Sequence, residues 1–174
     1  MQMLDAGGVP ILADGLRSAD EDNPHGYYEL EAVKGIARDA SFLVEAPGRA
    51  VKIVTPLLPS LPPEFAYRVV LVERDLGEVL ASQRVMMTRR GTADGADDAA
   101  MRSAFESALD RAQAWLDAAE EVETLRVAHR ALVTTPHDAA REIAAFVGVG
   151  AEDGERIDAM AAVVDAKLHR QRSD

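Results

Sequence analysis

Arg74 and Ser82, eight positions apart, bracket the stretch of this sequence best suited to hold a negatively charged group. A guanidinium is a permanently charged, planar fork of N–H donors whose spacing matches the oxygens of a phosphate or sulfate, and a serine hydroxyl adds one more donor. Between them, Asp75-Leu76-Gly77-Glu78 has the spacing of a capping box, with a carboxylate at the cap and a glutamate three residues on. A helix is therefore predicted to begin directly after Arg74. Its first N–H groups and its dipole favour an anion at that end. The plain alternative is an ion-pairing arginine in a loop and a serine on a solvated helix face.

Positioning these groups takes a strand before Arg74 and a helix after it. Val69–Val72 is a short β-branched and aliphatic run that predicts a buried strand. Leu76, Val79, Leu80 and Met87 then share one helical face. Upstream, residues 13–26 form a polar loop. Its adjacent acids Asp20, Glu21 and Asp22 point in different directions, so they read as solvated and not as a metal cluster. Tyr27–Asp39 is predicted as a helix with Leu30, Val33 and Ile36 buried, Ser41–Ala46 as a short helix, and Val51–Thr55 as a strand. The proline-rich segment 59–64 turns the chain, and residues 91–98 form an acidic linker. Asp98–Val122 is Ala-rich and helical, with Phe105, Leu109, Ala112 and Leu116 as its buried stripe and Trp115 at the margin. Leu125–Ala128 is a third strand, Pro136–Val147 a helix with proline near its start, and Ile157–Leu168 a last helix. Strands alternating with helices predict an α/β fold: a parallel sheet with helices on both faces, in three layers. Ligands of such sheets bind beyond the carboxyl ends of the strands, where Arg74, the loop after Thr55 and the segment after His129 would meet.

The Arg–Ser spacing across a strand–helix junction resembles the motif by which sulfotransferases hold the 3′-phosphate of their sulfate donor. Pro24-Gly26-Tyr27-Tyr28-Glu29 (in DEDNPHGYYELE), KIVTPLLPSLP from Lys52 and HRALVTTPHDAAREIAAFVG from His129 resemble, in family order, segments of bacterial sulfotransferase-like proteins of the P-loop superfold. The resemblance covers most of the chain and implies a single domain over 1–174. It also implies 3′-phosphoadenylyl sulfate as donor, a hydroxyl or amine acceptor on a small molecule, and no metal. Arg74 and Ser82 would hold the donor phosphate. Lys52, at the start of the family's second core strand, would neutralise the bridging oxygen as it leaves. In many members a histidine two residues later acts as base, but Val54 stands there. Glu29 is the replacement base this resemblance suggests, with His25 as a second candidate. Arg170 and Arg172 would close over the donor.

The family's donor loop, a Gly-rich turn with a basic residue, is not found in these residues. Met1 to Gly8 resembles the end of the helix that follows that loop, so the domain is expected to be truncated at its N-terminus and inactive. The missing strand would lie between Val69–Val72 and Leu125–Ala128. Three outcomes are open: the two strands pair directly, a segment such as Val9–Leu12 or a strand from a second copy fills the slot, or a gap leaves the fold marginally stable. The gap, with poor solubility or self-association, is the favoured expectation. Alternatives on the same fold are a nucleotide or phosphate-ester kinase relative, or a non-catalytic remnant that binds a partner or dimerises.

Composition bounds these readings. The 174 residues suffice for one core, and 48% are apolar. No run of eighteen apolar residues predicts a membrane span, and no signal peptide is visible. With no cysteine, disulfide and thiolate chemistry are excluded, which suits a cytoplasmic protein. A net charge of −11 argues against a nucleic-acid partner.

Overall fold

Tyr67–Glu73 forms strand β1 and Val122–Ala128 forms β2, each seven residues long. Their alternating side chains set the architecture. Val70 packs into one apolar cluster with Leu125 and Val127, while its neighbour Leu71, with Tyr67, packs into another. Successive strand residues point to opposite faces, so the sheet separates two cores. The computed structural model describes residues 1–17, 19, 26–89 and 98–165.

The first core is closed by helices α1 (Gln2–Ala6), α5 (Pro136–Val147) and α6 (Gly154–Ala162). Ala139, Ala140 and Ala144 are 3% exposed or less, and such small side chains let α5 approach its neighbours closely. Gly148, at φ 80, ends α5 in the left-handed conformation that glycine adopts without strain. Asp153 caps α6, its carboxylate accepting from the Arg156 N–H at 3.1 Å. The second core gathers Ile36, Leu43, Leu58, Leu61 and Ala112. There α3 (Asp98–Ala118) packs on a 3₁₀ turn at Thr55–Ser60. Helix α2 (Leu76–Arg89) follows β1, and α4 (His129–Thr134) follows β2. The protein is thus α/β and helix-rich, with a small parallel sheet.

Several expectations are corrected. The described residues form a sheet of two strands, not three. Val51–Thr55 is no strand: Pro56 and Pro59 lack ladder donors and fix φ, and the chain turns into the 3₁₀ segment from Thr55. Nearby, an isolated parallel bridge joins Ile11 to Ala50. The favoured gap between the strands is absent, and the alternative of direct pairing holds. β1 and β2 pair directly from Tyr67↔Val122 to Glu73↔Ala128, so the N–H and C=O groups that a gap would orphan bond each other. The predicted helix over Tyr27–Asp39 is reduced to a 3₁₀ turn at Glu31–Gly35. Leu30, Val33 and Ile36 recur every three residues, which is the 3₁₀ period, and Val33 and Ile36 are buried on it. Ser41–Glu45 is likewise 3₁₀. On α3 the buried line is Ala108, Ala112 and Leu116, and Leu109 is 46% exposed. The predicted residues 166–168 of the last helix, and most of the linker, lie outside the described residues.

Candidate anion-binding site

The carboxyl ends of both strands lie side by side at Glu73 and Ala128, where Arg74 and His129 continue the chain. Asp75 caps α2 as its sequence spacing predicts, Oδ1 accepting from the Glu78 N–H at 3.0 Å. The Glu78 carboxylate turns to Arg74 and accepts from its Nε at 3.0 Å. Both side chains are well covered, 24% and 13% exposed, so this pair holds the guanidinium in place more firmly than a surface pair would. Ser82 is half-buried on α2, one turn beyond Glu78 on the same side of the helix. Beside them, Arg126 of β2 donates to Glu73 at 2.6 Å and to Gln113 of α3, tying that helix to the strand ends. The helix end is thus already supplied with the carboxylates of Asp75 and Glu78, and an incoming anion would compete with both for N–H donors.

A second polar centre lies on the N-terminal arm. The Glu29 carboxylate accepts from Arg17 Nη1 at 3.2 Å and from Lys52 Nζ at 3.4 Å. Lys52 also donates to the Tyr27 carbonyl at 3.1 Å. The Arg17 guanidinium lies 3.3 Å from the centroid of the Tyr27 ring, and Lys52 Nζ lies 5.8 Å from it. Burial alone would raise the Glu29 pKa, but Lys52 and Arg17 together outweigh it and hold the carboxyl below its usual value. Tyr28 sits at φ 49, a conformation unusual for a bulky residue, and sends its hydroxyl away from Tyr27 to donate to Asp5 at 2.9 Å. Burial, with Asp5, raises the Tyr28 pKa.

The structure therefore brings Glu29 and Lys52 together across 23 positions of sequence. It places Arg74 on the α2 end with Ser82 two turns into that helix. His25, Arg170 and Arg172 lie outside the described residues, as do Pro24 and the acids Asp20 to Asp22. Arg17 was missed by sequence reasoning. It stands alone in a polar loop with no spacing signal, and only the approach of Tyr27 and Glu29 gives it partners. A cavity of about 220 Å³ beside this centre is lined by Ala13, Gly15, Arg17, Gly26, Tyr27 and Glu29, among others. A larger cleft of about 420 Å³ runs between α1 and α6, lined by residues that include Asp5, Tyr28 and Asp165. Among the described residues no group of three His, Asp or Glu side chains converges as a metal-ligand set, and no helix is long and apolar enough to cross a membrane. No protein-family model, curated protein or solved structure matches this chain.

Proposed function

We propose that this chain is a sulfotransferase-like domain of the P-loop superfold, in which the β1–α2 junction receives the 3′-phosphate of 3′-phosphoadenylyl sulfate. The observation that carries this reading is the position of Arg74: directly beyond the strand, before a capped helix, and oriented by Glu78. Phosphate binding would add charge-assisted bonds to the guanidinium, with the Ser82 hydroxyl further along the same helix. Lys52 would neutralise the leaving oxygen. Glu29 would accept the proton of a hydroxyl or amine acceptor. Its lowered pKa keeps it deprotonated at neutral pH, while Lys52 and Arg17 make it a weaker base than an unpaired carboxylate. Arg170 and Arg172 would cover the donor. The apolar clusters on opposite sheet faces support the layered arrangement of that superfold. We place the protein in the cytoplasm, in keeping with a sequence without cysteine.

The 174 residues include no Gly-rich loop to surround the 5′-phosphosulfate, so on this reading they bind the nucleotide without sulfuryl turnover. Calorimetric titration with adenosine 3′,5′-bisphosphate tests the reading. Saturable binding is expected, weakened roughly tenfold to a hundredfold in Arg74→Met, the loss of a hydrogen bond to a charged group. Absence of binding, or equal affinity in the variant, would overturn it.

A further inference from the structure

The carboxylate of Glu29 lies between two cations contributed by distant segments, and both Arg17 and Lys52 donate to the same oxygen. Neither cation comes from the same segment as Glu29, so the contact is not a by-product of helix spacing. Among the described residues, one negative charge faces two positive ones, which leaves the centre short of an anion. No other described carboxylate makes up the difference by direct contact. Lys34 and Glu31 pair with each other at 2.6 Å, and the Asp14 carboxylate accepts from the backbone N–H groups of Leu16 and Glu31. Beneath the cations, the Tyr27 ring supplies a flat, electron-rich floor that keeps the Arg17 guanidinium parked above it.

The neighbouring cavity of about 220 Å³ gives a second, independent observation. Two of its lining residues are glycines at positive φ, Gly15 at 67 and Gly26 at 83, and at each no atom of the described residues lies within 4 Å of where a Cβ would stand. The wall is open at those positions, and room exists beside the carboxylate for an exchange of occupants. The backbone of Glu29 is held separately, its carbonyl accepting from the Asp14 N–H at 3.1 Å. The side chain can therefore leave while the segment stays in place.

We propose that Arg17 and Lys52 form a subsite for a dianionic oxyanion, sulfate or a phosphate monoester, and that Glu29 occupies it as a displaceable internal stand-in. A dianion offers both cations an acceptor with twice the charge of the carboxylate. When it binds, Glu29 loses both partners and regains the proton affinity of an ordinary carboxyl. The exchange rests on the contacts around Glu29 alone and not on the nucleotide reading of the β1–α2 junction. Were both to hold, oxyanion binding would also restore Glu29 as a base.

The test follows the side-chain carboxyl ¹³C signal of Glu29 through a pH titration of the whole chain, in chloride and in sulfate, a dianion throughout that range, at matched ionic strength. In chloride the midpoint should fall below the usual carboxylate range, and in sulfate it should rise toward that range. A third arm adds methyl phosphate in mildly alkaline buffer, where it too is a dianion, and follows the Glu29 carboxyl and Lys52 Nζ signals. Movement only with methyl phosphate identifies an ester as the ligand, and movement with both identifies the free oxyanion as sufficient. In Glu29→Gln, sulfate should bind about tenfold tighter or more, because the competitor for two charge-assisted bonds is gone. That gain should vanish when Arg17→Met and Lys52→Met are added. A Glu29 midpoint unchanged in sulfate, with Glu29 and Lys52 signals unmoved by methyl phosphate, overturns the proposal, and this reading needs no variant to fold. Tight binding that survives loss of both cations overturns it equally.

Discussion

Around Met160, where α1, α5 and α6 meet the sheet, side chains are sealed from water; around Glu29, on the N-terminal arm, segments are joined by charges that keep a third of their surface exposed. Met160 and Ala140 are fully buried and Ile157 nearly so. Arg156 completes that region by donating Nη1 to the Gly7 carbonyl at the end of α1, across 149 positions. The contacts at Glu29, by contrast, are ion pairs beside an isolated bridge, and the 3₁₀ turns of the arm bury apolar side chains in the second core. Removing apolar surface from water is worth a few kcal/mol per large side chain, whereas partly exposed ion pairs are worth about 0–1 kcal/mol each. The difference separates two jobs. Cohesion belongs to the sealed wedge and the second core, and the ion pairs at Glu29 can exchange partners at little cost to the fold.

The largest expected effect is therefore at the wedge. Met160→Ala should destabilise the protein by about 2–5 kcal/mol in urea unfolding, through lost burial and the cavity left behind. A loss below about 1 kcal/mol would show that the wedge is not a source of cohesion. Gly7→Ala should follow at about 1–3 kcal/mol. Its new methyl would stand 2.9 Å from the Met160 sulfur and 3.1 Å from the Met3 carbonyl, and the carbonyl cannot swing aside. Asp75→Ala, at the start of α2, should cost about 0.5–2 kcal/mol by freeing the Glu78 N–H, with a similar loss for Asp153→Ala at α6.

The smallest effect is at the arm and depends on pH. Because the folded pKa of Glu29 lies below its usual value of 4.5, its ionised form contributes stability that is fully present above about that pH. That contribution is lost as pH falls through the lower folded value. The stability difference between wild type and Glu29→Gln should be flat at neutral pH and narrow in acid. A difference that widens as pH falls would reverse the assigned direction.

Local signals in the sequence were legible where a single segment decides the outcome. The β-branched run before Arg74 became β1, the Asp75 spacing became a real cap, and Pro136 and Gly148 bound α5 as proline and glycine should. Legibility failed where distant segments decide. Val51–Thr55 has strand-like residues, but whether they join a sheet depends on a partner, and the following prolines divert the chain. The direct pairing of β1 with β2 depends on two segments 55 positions apart finding the same register, which no local pattern encodes. Leu109 was assigned to the buried stripe by spacing, yet the face of α3 that is covered was settled by the Thr55–Ser60 turn against it. Glu29 and Lys52 were each legible as chemistry-bearing residues, while their contact, and Arg17 as the third member, emerged only from the folded arm.

The most direct test of the account's central claim follows the Arg74 Nε signal and the backbone amides of Leu76, Gly77 and Glu78 by ¹H–¹⁵N spectroscopy as adenosine 3′,5′-bisphosphate is added. The account predicts saturable shifts at Arg74 and at those amides, as the 3′-phosphate contends with Glu78 and Asp75 for the strand–helix junction. Signals there that stay fixed at saturating nucleotide, whether or not others move around Arg17 and Lys52, would contradict the assignment of that junction as the donor site.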